Sequence, residues 1–285
     1  MPVTGLLVAL LAASPLPQPT LKISSAAFSI PFELSDGHIF VSAYVNGRGP
    51  YRFGFDTGAS GVGRADNRLV EALKLPPAGT ASVSDSIKAT TVARVAIKSL
   101  RIGSLEWRDV DIPARDYNPN VKSGGVPMYG IIAREFFADQ LVTIDYPSRT
   151  IRFERASLRS GGKGVVAYEG GLVIPVCFVA GCVEGRIDTG SSRGIVIPKD
   201  LVGRIAASGP VPIGQGLRTN GVANLYEMTL KEPVRIGDIA AVGEKVLYAD
   251  PSDDKVVVGT KFLEDYVLTI DQRNKLLRIE MPGGR

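Results

Sequence analysis

The chain has 285 residues, 45% of them hydrophobic, and a formal net charge of +4. That is enough chain for one large or two modest folded units, and too apolar for a disordered one. The positive charges are scattered, with no Lys/Arg block and no interleaved aromatics, which excludes a nucleic-acid groove; no stretch stays apolar for the roughly 20 residues that a membrane helix needs.

Residues 1–20, "MPVTGLLVALLAASPLPQPT", read as a secretory signal peptide and a Pro-rich tail: an apolar run from Leu6 to Leu11, then small Ala12, Ala13 and Ser14. No Lys or Arg precedes Lys22, so the charged start of such a leader is missing. The expectation is an exported chain, periplasmic or secreted. His38 follows in "SDGHIF", a turn into a strand, where a plain surface histidine is expected. As the single histidine it cannot build a zinc site that needs two or three, and no metal or other cofactor is expected.

Beyond it, "IFVSAYVNGRGPYRFGFD" reads as strand, turn and strand, ending at Asp56 in "FDTGAS". Asp66 is a suitable start for a short helix over "DNRLVEALKL". A polar hairpin follows in "SVSDSIKATTV" (Ser82–Val92), then an apolar run "YGIIA" and a closing hairpin turning on "DYPSR". After the linker at residues 160–164 come Cys177 and Cys182 in "CFVAGC". If Phe178 to Gly181 closes a tight hairpin, the two cysteines fall opposite each other; a cross-strand disulfide and two half-buried thiols are both open. The strand after them ends at Asp188 in "IDTGSS"; Pro198 starts a second helical pattern, and a second polar hairpin spans Gly216–Leu225.

The order repeats. Asp56 and Asp188 stand 132 residues apart, each entered by two strands and followed by a helical pattern. The halves also end alike: Ala133–Glu154 aligns without gaps on Gly259–Glu280, with Phe136/Phe262, Asp139/Asp265, Thr143/Thr269, Ile144/Ile270, Asp145/Asp271, Arg152/Arg278 and Glu154/Glu280 identical. With 32 Gly, 19 Pro and short alternating runs, the chain is expected to be all-β, as two similar, pseudo-twofold related lobes at residues 23–159 and 165–285. Asp145 and Asp271 begin hairpin turns, where Asp bonds its own backbone, and are read as structural.

Asp56 and Asp188 differ from these. Each ends an apolar strand and precedes Thr-Gly-small-Ser. Gly58 and Gly190 let the backbone turn and approach a neighbour closely. Thr57 and Thr189 can bond across to the opposite loop. Ser60 and Ser192 are candidates for substrate contact. Two such loops meeting at a lobe interface bring two carboxylates close enough to share a proton. One then deprotonates a water while the other donates to a carbonyl, which hydrolyses an amide without metal, histidine or covalent intermediate.

On "FDTGAS", "IDTGSS", "YGIIA" and "VVVG", the sequence resembles the pepsin/retropepsin-type aspartic peptidases, and looks most like two bacterial retropepsin-like domains fused in one chain. The resemblance implies a bilobal pepsin-like acid protease fold with a deep cleft between the lobes, a β-hairpin flap over the substrate, an endopeptidase acting on peptides or proteins, and no need to dimerise, hence a monomer. Three departures stand out. Ala133 replaces the usual Gly, neither candidate flap carries a tyrosine near its tip, and the residues two before each Asp are Gly54 and Arg186. Strand alternation puts Arg186 on the same side as Asp188, where it either acts on the dyad or an acidic substrate residue, or packs its stem and sends its head to solvent. The competing reading is a non-catalytic peptide-binding or scaffold module that keeps the fold. A two-carboxylate glycosidase needs its carboxylates roughly 5–10 Å apart, wider than paired Asp-Thr-Gly loops imply.

Overall fold

The computed structural model describes residues 18–22, 26–84, 89–118, 126–218, 221–242 and 245–283. Residues 1–17 of the leader and the tips of both candidate flaps, 85–88 and 219–220, lie outside the described residues. Among the described residues the strands form three sheets, of nine, six and nine strands.

In the first half, His38–Val45 alternates as the sequence requires: Ile39, Val41, Ala43 and Val45 point into the core. Asn46 and Gly47, both at positive φ (52° and 75°), turn the chain into the Arg48–Asp56 strand, the two-residue hairpin that an Asn-Gly pair favours. Arg48–Asp56 then lies parallel to Gly130–Ala133, with Asp56 opposite Ala133. On its other edge Gly130–Ala133 runs antiparallel to Gly63–Asp66, placing Arg64 opposite Ile131. The Asp66 carboxylate caps the Asn67–Leu73 helix by accepting from Arg68 N at 2.9 Å.

The second half repeats the plan. Gly181–Asp188 lies parallel to Val256–Gly259, with Asp188 opposite Gly259, and Ile195–Ile197 pairs antiparallel with that strand, Val196 opposite Val257. Its helical segment is less regular, a 3-10 turn at Lys199–Leu201 running into a single α-turn at Val202–Ile205. Cys177 and Cys182 are register partners in the hairpin that leads to Asp188, and they form a disulfide.

The closing hairpins of the two halves build one sheet together. Leu141–Asp145 pairs antiparallel with Val267–Asp271 in a register centred on Thr143 and Thr269, whose hydroxyls are 3.3 Å apart. These are equivalent residues of the repeat, so the pseudo-twofold axis passes between them. Phe28–Pro31 and Val165–Ala167 complete the edges of this six-stranded sheet. Asp145 and Asp271 serve the hairpin turns, accepting from Ser148 N at 3.0 Å and Asn274 N at 3.2 Å; Asp271 also accepts from Leu158 N at 2.9 Å, fastening the chain just before the linker. Most buried apolar side chains form one continuous core reaching from Phe32 to Ile279, through both halves.

Candidate active site

The two Asp-Thr-Gly loops meet on the same axis. Thr57 N donates to Thr189 Oγ1 at 3.0 Å, and that hydroxyl donates to Phe55 O at 2.8 Å. The mirror pair runs from Thr189 N to Thr57 Oγ1 at 3.1 Å and from that hydroxyl to Ile187 O at 3.2 Å. Both threonines are fully buried, so each hydroxyl satisfies two backbone groups that would otherwise be orphaned.

This interlock presses each glycine against the opposite acid. A Cβ on Gly58 would stand 2.4 Å from Asp188 Oδ1, and one on Gly190 would stand 2.4 Å from Asp56 Cγ. Only a residue without a side chain lets the loops close this far. Asp56 Oδ1 accepts from Gly58 N at 2.8 Å and Ala59 N at 3.0 Å, while Asp188 Oδ1 accepts from Gly190 N at 2.9 Å. Burial first, and the neighbouring Asp188 charge second, push Asp56 up to about 7, against the pull of the loop N–H groups and of Arg64.

The carboxylates lie on the floor of a cavity of about 270 Å³ between the lobes. Arg186 lines it, with Nε 3.7 Å from Asp188 Oδ2 and a side chain 22% exposed. Each candidate flap reaches the same cavity: Val83 and Ser84 from the Pro77–Ser84/Ala89–Ile102 hairpin, Gly216, Ala223 and Leu225 from the Val211–Arg218/Gly221–Thr229 hairpin. Small apolar clusters stand on either side, Ala59, Ile131 and Ala133 in one lobe and Ala223, Leu225 and Ala249 in the other.

Ser60 and Ser192 sit apart from this lining. Ser60 is exposed, and Ser192 packs against the turn at Gly37; their neighbours Ala59 and Ser191 line the cavity instead. His38 is more than a surface residue. It is half-buried beside the second loop, where burial pushes its pKa below the ordinary value while Asp36 and Asp188 oppose that shift. Four further charged or phenolic lining residues escaped the sequence reading: Arg64, Tyr117, Arg193 and Asp253. Arg64 is only 8% exposed, and Asp66 holds the Tyr117 segment in place by accepting Tyr117 N at 2.7 Å. Burial pushes the Tyr117 hydroxyl up, and the charges of Arg64 and Arg115 pull it back. Arg64 stands in the Gly63–Asp66 strand, which is buried on both faces.

Residues 41–136 match the profile of a family described as aspartyl protease. Among solved structures, the crystal structure of an aspartic proteinase from Irpex lacteus superimposes with a TM-score of 0.56 at 14% identity, covering 90% of this chain and 98% of that one. A sequence search of curated proteins finds no match. The chain is thus similar to aspartic peptidases of the pepsin/retropepsin type, and its all-β, two-lobed architecture is the pepsin-like bilobal fold.

Proposed function

We propose that the chain is an aspartic endopeptidase that hydrolyses peptide bonds with a water activated by Asp56 and Asp188. The observation that carries this reading is the reciprocal interlock of the two loops, which sets each carboxylate against the opposing glycine at the floor of one interlobe cavity. Such a pair shares one proton. The raised Asp56 keeps the proton, and Arg186 Nε stands 3.7 Å from Asp188 Oδ2.

In this mechanism a water held between the carboxylates loses a proton to Asp188 as its oxygen attacks the carbonyl carbon, while Asp56 donates its proton to the carbonyl oxygen. The tetrahedral diol then collapses. Asp188 returns its proton to the amide nitrogen, the C–N bond breaks, and Asp56 recovers a proton from the diol oxygen. Thr57, Gly58, Thr189 and Gly190 position the two acids. An extended peptide fits between the two hairpins. An extracytoplasmic location, periplasmic or secreted, is part of the proposal, and the Cys177–Cys182 disulfide together with the leader-like residues 1–20 supports it. So is action as a monomer, since one chain supplies both acids.

The test is cleavage of a mixed peptide library across acid to mildly alkaline pH, with and without a statine-type inhibitor. Asp56→Asn and Asp188→Asn should each lower the rate by at least about a thousandfold, because the pair acts as a unit. Activity of the parent should fall as pH rises through about 7, where the last shared proton leaves. Cleavage that survives both substitutions rejects the dyad. Inhibitor binding without cleavage at any pH favours the non-catalytic peptide-binding module.

A further inference from the structure

His38, the chain's single histidine, stands where the first lobe touches the loop of the second. The turn that presents it, Asp36 and Gly37 at φ 50° and 72°, folds the Glu33–Ser35 strand onto His38–Val45 and packs directly on that loop: a Cβ on Gly37 would fall 2.8 Å from Ser192 Cβ and from Ser192 O. From this turn the half-buried ring hydrogen-bonds the backbone of Asp36 on its own lobe and of Gly190 on the other. Each of these bonds favours the charged ring, so both acceptors are carbonyl oxygens. Gly190 is pressed against Asp56, and its N–H donates to Asp188 Oδ1 at 2.9 Å. The ring thus holds a residue in contact with both acids. The repeat has this contact once. Phe40 pairs with Gly54 and Val173 with Arg186, so two residues back His38 corresponds to Gly171. Gly171 carries no side chain, and the nearest atom to a Cβ there would be Arg134 Nη1 at 4.0 Å. Only the Asp188 loop is held by an imidazole.

A neutral imidazole has one N–H for two carbonyls, whereas an imidazolium donates to both. The charges that act on the ring are Asp36 on its own turn and Asp188 on the facing loop, and both favour the imidazolium. Glu33 on the adjoining strand is engaged by Arg52 at 3.0 Å, and Arg193, further along the facing loop, lines the cavity. We propose that His38 is a positioning residue for the dyad: protonated, it bridges Asp36 O and Gly190 O and fastens the Asp188 loop to the first lobe, and as a neutral ring it releases one of the two carbonyls. This deepens the endopeptidase reading and rests on it for the effect on cleavage. Burial favours the neutral ring, so the bridge is complete only at acid pH. It is lost as pH rises through a midpoint below the ordinary 6.5, before Asp56 gives up its proton at about 7.

The experiment uses the full chain, whose single histidine gives one imidazole Cε1–H signal in proton NMR. In the parent that signal should titrate below pH 6.5. Asp188→Asn should lower the midpoint by about 0.5 or more, whereas Asp56→Asn, which leaves Asp188 charged, should leave it in place. The kcat/KM of the parent on a peptide substrate should fall in two steps, the first at the imidazole midpoint and the second near 7. His38→Gln, whose amide stays neutral at every pH, should remove the first step, lowering kcat/KM about fivefold near pH 5 and less than about twofold near pH 7. A midpoint that ignores Asp188→Asn, or that moves equally in both variants, overturns the proposal whether or not the chain cleaves and whether or not His38→Gln folds. So does an unchanged profile in His38→Gln, or a loss of the same size at both pH values, which a merely structural ring would give. A ring coupled to Asp188 in a chain that cleaves no substrate supports the bridge and rejects the peptidase; cleavage with an uncoupled ring does the reverse.

Discussion

Asp56 is held in the fold at an energetic cost that depends on pH. Its ordinary pKa is 3.8, and burial with Asp188 nearby raises it to about 7. Between those values the folded chain keeps a proton that the unfolded chain has released, so stability from this group falls as pH rises through the interval, and the loss is complete above about 7. Asp56→Asn removes that loss while its side-chain oxygen can still accept from Gly58 N and Ala59 N. The variant should be stabilised by on the order of 2 kcal/mol near pH 8, with solvent in the cleft discounting the larger figure that the shift alone implies, and by little near pH 4. Thermal melts at both pH values check this; a gain of equal size at both, or none at pH 8, rejects it. The meeting of the two Asp-Thr-Gly loops was legible in the sequence because one copy alone is ambiguous, but two copies with repeated surroundings are not. Arg186 was legible through its mismatch with Gly54. Arg64 carried the same signal, since an ungapped alignment of the two loops sets it opposite Val196, yet an arginine eight residues past a motif draws no notice until its strand is known to lie beside Ile131.

The strand that ends beside each loop shows how one small residue depends on its surroundings. Gly259 and Ala133 are equivalent, each opposite the aspartate of its lobe. A Cβ on Gly259 would fall 2.4 Å from Arg193 O and 2.6 Å from Ser191 O, whereas Ala133 is accommodated and fully buried among Ala59 and Ile131. The second loop is thus drawn more tightly over its strand than the first, which sequence comparison registers only as a mild departure. Gly259→Ala should destabilise the fold by more than about 2 kcal/mol, because the clash is with backbone that also accepts Lys261 N and Thr260 N. Ala133→Gly should cost about 1 kcal/mol or less. Urea unfolding of both variants distinguishes them; equal losses would mean that the two loops are equivalent after all. The strands and hairpins themselves were readable from alternation and turn residues. Which edges would pair was not, because the alternating pattern of Leu141–Asp145 suits any antiparallel neighbour, and only the fold reveals that its partner is its own repeat.

At the scale of the whole molecule, the two halves are joined by much more than residues 160–164. The six-stranded sheet takes strands from both, the threonine interlock takes two hydrogen bonds from each side, and Gln272 Nε2 reaches across to Arg134 O at 2.7 Å. The core is continuous across them. Separating the halves would expose the paired edges of Leu141–Asp145 and Val267–Asp271 along five residue pairs, together with the fully buried Val142, Ile144, Leu268 and Ile270. Those losses far exceed the entropy released by opening an exposed linker of this length, which grows only with the logarithm of its length. A protease site placed after Ser160 and cut in the folded protein should therefore leave the two fragments co-eluting at the mass of the intact chain, unfolding in a single transition and retaining any inhibitor binding. Fragments that separate on gel filtration, or a melt that splits into two steps, would show that the lobes are held by the linker and not by the sheet and loops they share.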